Sequence, residues 1–72
     1  MTENSSRESI GRNIRTIRES HDMEQQELAR YIGVNKSSVC QYEKGAKIPS
    51  LLTAINIAKV LRCSLDDICG IN

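Results

Sequence analysis

Three residues, Gly33-Val34-Asn35, separate two short stretches of helical periodicity, and no other feature of this chain constrains its fold so tightly. Before them, Leu28, Ala29 and Ile32 recur at the spacing that lines one face of a helix, and Gly33 is a natural C-terminal stop. After them, Asn35 can cap a helix over Lys36 to Lys44, in which only Val39 and Tyr42 sit at a spacing suited to a core. A connection of three residues containing glycine makes the two helices cross at a steep angle. The outer face of the second one then presents Lys36, Ser37, Cys40, Gln41 and Lys44 together, which asks for an explanation.

The flanking sequence extends the pattern. Ser5 followed by Glu8 has the form of a capping box, and Ile10, Ile14 and Ile17 then recur at helical spacing, predicting a helix from about Ser6 to Ser20 with Arg7, Arg12, Arg15 and Arg18 on its polar face. His21-Asp22 breaks it before the helix that ends at Gly33. Gly45 ends the helix begun at Lys36, and Pro49-Ser50 opens a fourth, capped by Ser50, with Leu51, Ala54, Ile55 and Ala58 expected inward. Leu52, Ile57 and Val60 lie off that stripe and leave an apolar surplus. Ser64 with Asp67 starts a brief last helix carrying Leu65 and Ile68. No segment alternates with period two, so the chain reads as all-α, with five helices. Val39 and Tyr42 are expected in the core and Tyr31 partly buried.

With 72 residues the chain reads as one domain over 1–72, residues 1–5 being expected to be flexible. No apolar run approaches the ~20 residues of a membrane span. MTENSSRES lacks the apolar stretch of a secretory signal, which points to the cytoplasm. Three cysteines, Cys40, Cys63 and Cys69, lack a CxxC spacing or a histidine partner, so neither a disulfide framework nor a zinc site is expected, and no cofactor is implied. His21 is the sole histidine. Without a nucleophile–base pair, a metal cluster or a phosphate loop, an enzyme is not expected. Net charge is only +1, but from Asn35 to Pro49 three lysines, Lys36, Lys44 and Lys47, face one acid, Glu43, so the local balance is basic.

Taken together, Gln25, Glu27-Leu28-Ala29, Gly33-Val34, Val39, Glu43, Gly45, Pro49-Ser50, Ala58-Lys59 and Ser64-Leu65-Asp66 closely resemble the phage-repressor, Cro and Xre class of helix-turn-helix DNA-binding domains. The likeness runs from about Ile10 to Ile68. It implies a compact five-helix domain whose third helix enters the major groove with its first residues at base edges. Lys36 and Ser37 match the leading base-reading positions and Gln41 another one turn later, with Cys40 on the same face. Lysine can donate to guanine O6 and N7, and glutamine can grip adenine N6 and N7. Gln25 matches a position that contacts phosphate and braces the first reading residue, here Lys36; Asn35, Lys44 and Lys47 are further phosphate candidates. Arg18 and Glu43 match a charged pair linking helix one to the end of helix three. Two positions depart from the family pattern: Glu24 replaces the usual serine or threonine cap, leaving Asp22 as the expected cap, and Cys63 replaces a core valine.

The expected function is that of a sequence-specific transcription regulator, a repressor binding a palindromic operator as a homodimer. Its partner is double-stranded DNA, with no membrane and no small-molecule substrate in evidence. The apolar surplus, Leu52, Val60, Cys69 and Ile71 with Ile55 and Ile68, offers the dimer surface. Rival readings are an antitoxin or restriction-modification controller with the same fold, and a protein-interaction module that never meets DNA.

Overall fold

The computed structural model describes residues 6–70, so the expectations for residues 1–5 and for Ile71 lie outside the described residues. Its first helix, α1 (Arg7–Ser20), is capped by Ser6 rather than by Ser5. The Ser6 hydroxyl accepts from the Ser9 N–H at 3.1 Å, and Ser9 Oγ accepts from the Ser6 N–H at 3.0 Å. The reciprocal bond needs only a side-chain oxygen three residues on, and Ser9 supplies it in place of Glu8.

The second helix, α2 (Gln25–Ile32), follows a tight turn at Asp22, which takes a left-handed conformation with φ 53°. Asp22 therefore serves the turn, its N–H donating to the Glu19 carbonyl, and is not the cap that the sequence suggested. Glu24 occupies that position, and Glu27 Oε1 accepts from its N–H at 2.9 Å. At the other end Gly33 has φ 77°, and the Val34 N–H closes the turn on the Ala29 carbonyl at 3.0 Å. Val34 packs against the core from within the corner.

Next come α3 (Lys36–Lys44), capped by Asn35, and α4 (Leu51–Leu61), capped by Ser50, whose hydroxyl accepts from the Thr53 N–H at 3.2 Å. The last helix, α5 (Leu65–Cys69), begins with the expected reciprocal bonds between Ser64 and Asp67. Backbone and side-chain bonds from Ser64 hold the Asp67 carboxyl below its ordinary range. Among the described residues no helix is long and apolar enough to cross a membrane.

Ile14, Leu28, Ala29, Val39, Tyr42, Ile57, Ala58, Leu61 and Ile68 form one buried cluster drawn from all five helices. Ala58 is buried as expected, but the phase of α4 otherwise differs from that expected. Ile57, Ala58 and Leu61 face the core, while Leu51 is 71% exposed and Ala54 and Ile55 are half-buried. With eight of its eleven residues apolar, α4 offers more than one stripe, and packing against α2 and α5 selects this one. Two dimer-surface candidates change accordingly: Ile68 is fully buried and cannot meet a partner, and Val60 packs partly against the core. Tyr31, expected to be partly buried, is largely exposed. Cys63 does pack against the core, and burial, with a smaller contribution from Asp67, raises its thiol pKa.

Gly11, mid-way along α1, is buried where that helix crosses the end of α3. A Cβ there would strike the Tyr42 carbonyl oxygen and lie 2.7 Å from that of Glu43. The missing side chain is what lets α1 seat the backbone of α3 directly, and this sets the position of α3 relative to the core.

Candidate nucleic-acid interface

The local sequence first fixes the start of α3. Asn35 Oδ1 accepts from the Ser38 N–H at 2.9 Å and from the Ser37 hydroxyl at 2.8 Å. The cap therefore occupies the acceptor of Asn35 and the hydrogen of Ser37. The Asn35 amide N–H groups and the Ser37 oxygen lone pairs take no part in the cap, and both residues are exposed at the helix start. At the far end, the Ala46 and Lys47 N–H groups both donate to the Gln41 carbonyl, curling the chain past Gly45. That curl places Lys47 Nζ 5.9 Å from the centre of the Tyr42 ring, within range of a cation–π attraction.

The two faces of α3 are sharply different. Lys36, Ser37, Gln41 and Lys44 are exposed and Cys40 half-buried, whereas Val39 and Tyr42 are in the core. Beside those two, the Glu43 carboxylate is only 3% exposed and accepts three hydrogen bonds. Arg18 Nε donates to Glu43 Oε2 at 2.6 Å and its Nη2 to Oε1 at 3.1 Å, forming a two-point fork. Gln25 Nε2 donates to Oε1 at 2.9 Å. The remaining guanidinium nitrogen, Nη1, donates to the Met23 carbonyl. The Glu43 bond, opposed by burial, raises the Arg18 pKa above its ordinary value, so the guanidinium stays charged at any working pH. The Arg18–Glu43 pair thus ties α1 and the start of α2 to the end of α3, and Arg18 also holds the α1–α2 turn through the Met23 carbonyl.

Gln25 consequently has a different immediate partner from the one its sequence position suggested. Its amide braces Glu43, and it shares with Lys36 the lining of a polar cleft that also includes Arg15, Glu19 and Gln26. Only one N–H of the Gln25 amide is engaged by Glu43. The structure brings Lys36, Ser37, Gln41 and Cys40 onto one surface of α3, with Asn35 at its start and Lys44 and Lys47 at its end. Sequence reasoning missed Gly11 and the Met23 carbonyl. The first had a readable signal, a glycine in the middle of a strongly amphipathic helix; the second is a backbone atom in a turn and had none.

Comparison with known proteins fits this arrangement. A family model described as helix-turn-helix matches residues 14–68. The antitoxin PezA of Streptococcus pneumoniae serotype 4 is 36% identical over 61 residues, which are 85% of this chain and 39% of that protein. The chain therefore spans well under half the length of that relative. An HTH-type transcriptional regulator of Archaeoglobus fulgidus is 38% identical over 55 residues, 76% of this chain and 79% of that one. Among solved structures, the P22 c2 repressor in complex with synthetic operator 9T matches with a TM-score of 0.82 at 25% identity, covering 88% of this chain and 96% of that chain.

Proposed function

This chain belongs to the helix-turn-helix family, in the phage-repressor and Xre class, and from that premise we propose that it is a sequence-specific DNA-binding regulator of transcription. It acts as a repressor, grips a palindromic operator as a homodimer, works in the cytoplasm and performs no catalysis of its own. Residues 1–72 serve as one DNA-binding unit.

The observation that carries this reading is the division of α3 between a clamped inner face and a polar outer one. Glu43 is held by two residues, the Arg18 fork and the Gln25 amide, which fixes the helix in place, and its outer face presents Lys36, Ser37, Gln41 and Lys44, all able to read or grip DNA. Lys36, Ser37 and Gln41 meet base edges, with Cys40 at the margin of the contact. Gln25, Asn35, Lys44 and Lys47 meet phosphates on either side. Leu52, with Cys69 and the uncovered part of Val60, contributes to the surface between the two copies, since one α3 makes too few base contacts for strong specificity.

Selection of bound sequences from a random duplex library tests the proposal. A recovered motif with two-fold symmetry supports it, whereas uniform retention of all sequences, or of none, removes it. The likeness to an antitoxin supports a second reading in which the same α3 contact serves an operator controlled together with a partner protein. Purification of the chain with a stoichiometric partner from its native host separates that reading from the first.

A further inference from the structure

The stretch from Gln41 to Lys47 joins the outer face of α3 to the chain that leaves it, and it is held at several points. The Gln41 carbonyl accepts from the Ala46 N–H at 2.9 Å and from the Lys47 N–H at 3.3 Å, so the backbone of Lys47 is fixed to that of Gln41. Gly45, between them, is buried, and a Cβ there would lie 3.1 Å from the Glu8 Cα, which seats the curl on the first turn of α1. Two residues beyond Lys47, Pro49 is buried as well. The chain is therefore anchored on both sides of Lys47, although Lys47 itself is exposed.

The Lys47 side chain has an anchor too. Its Nζ sits 5.9 Å from the centre of the Tyr42 ring, and Tyr42 is 5% exposed, locked in the core. Among the described residues no other lysine makes a ring contact or an ion pair. A ring face attracts an ammonium without using up its N–H donors, which remain for a phosphate oxygen. A long side chain already confined also loses less freedom when it binds. Lys44, exposed on the last turn of α3, has a flexible four-carbon stem and no such anchor, so it can follow a phosphate over a range of helix positions. Lys47 can grip from one position.

We propose that Lys47, steered by the Tyr42 ring, sets the depth at which Gln41 enters the major groove, so that a contact with a phosphate, itself blind to sequence, contributes to sequence discrimination. This inference rests on the DNA-binding reading above and deepens it: of the two lysines at the end of α3, Lys47 fixes register and Lys44 supplies attraction alone. Tyr42 is a positioning residue that acts through Lys47.

The test titrates the full chain against a selected operator and a scrambled duplex at several salt concentrations, with circular dichroism confirming that each variant is folded. Lys47→Ala should weaken operator binding at least ~5-fold more than scrambled-duplex binding and lower the salt slope by ~1. In a Gln41→Ala background the same change should lose that excess and weaken both duplexes alike. Tyr42→Leu should reproduce the ~5-fold fall in operator preference and add nothing to it in a Lys47→Ala background, whereas Tyr42→Phe, which keeps the ring, should hold the preference within about twofold. Should Tyr42→Leu fail to fold, Tyr42→Met takes its place in both comparisons. Equal losses for Lys47→Ala on the two duplexes overturn the inference and leave the DNA reading intact, as does an excess that persists in the Gln41→Ala background. A ringless variant that keeps its operator preference overturns the part assigned to Tyr42. Failure of the unaltered chain to retain any duplex overturns both readings together.

Discussion

Arg15 and Arg18 lie one turn apart on α1, and each reaches a glutamate, yet the two pairs do different things. Arg15 meets Glu19 at 3.2 Å on the same helix, with side chains 63% and 54% exposed. Arg18 meets Glu43 at 2.6 Å across two helices, with side chains 9% and 3% exposed. The first stands in water, which screens its attraction and leaves both long side chains free to move. The second has given up its water and replaced it with a closed set of hydrogen bonds that includes Gln25 and the Met23 carbonyl. Placement, more than chemistry, decides whether such a pair ornaments a helix or holds α3 in position. A buried pair adds less net stability than its short distances suggest, because desolvation opposes it, but losing one partner is costly.

The contrast should be widest at Glu43. Glu43→Ala leaves the Arg18 guanidinium buried without its counter-charge and should lower unfolding free energy by ~3 to 5 kcal/mol, read from urea titration. A loss below ~1 kcal/mol would place this pair in the same class as its exposed neighbour. Gly11→Ala probes the same junction without touching charge. The new methyl meets the backbone carbonyls of Tyr42 and Glu43, so the substitution should destabilise by ~1 to 3 kcal/mol despite alanine's better helix propensity. If it stabilised the protein instead, α1 and α3 could separate more easily than the close approach implies.

The outer face of α3 sharpens the comparison in binding rather than in stability. Gln41→Ala should cost ~1 to 3 kcal/mol on the selected operator and far less on scrambled DNA, with the salt dependence nearly unchanged. Lys44→Ala should weaken binding on both sequences alike and reduce the salt slope by ~1. Titrations at several salt concentrations distinguish the two, and equal losses for Gln41→Ala on both duplexes would take that residue out of base reading. The smallest effect belongs to the exposed pair: Arg15→Ala should change stability by no more than ~0.5 kcal/mol, and that little should vanish at high salt. A loss near that of Glu43→Ala would undo the distinction between the pairs.

Much of this architecture was legible because helix ends and tight turns are encoded by neighbours in the chain. Asn35, Ser50 and Ser64 cap the helices they were expected to cap, and Gly33 takes the left-handed conformation that the corner needs. The outward set on α3 followed from the same short-range logic, since with Val39 and Tyr42 inward, Lys36, Ser37, Gln41 and Lys44 lie on the opposite side of the helix. The capping of α1 slipped by one residue because two adjacent serines are equivalent to a local rule.

What local rules left open was settled by partners distant in sequence. In α4 eight of the eleven residues are apolar, so the pattern could not say which stripe faces inward; contact with α2 and α5 chose Ile57, Ala58 and Leu61 and left Leu51 and Leu52 in water. Ile68 looked available for a partner copy until the folded chain enclosed it. Gln25 was legible as a polar residue at a helix start, but its bond to Glu43 joins positions 18 residues apart that meet only once the α2–α3 corner has formed. The sequence by itself determined which segments are helical, where α3, α4 and α5 begin and which residues α3 shows to the outside, because those depend on spacing and capping within a few residues. Only the tertiary structure decided the phase of α4, the burial of Arg18 and the closed network around Glu43, because burial is a property of what the rest of the chain packs against.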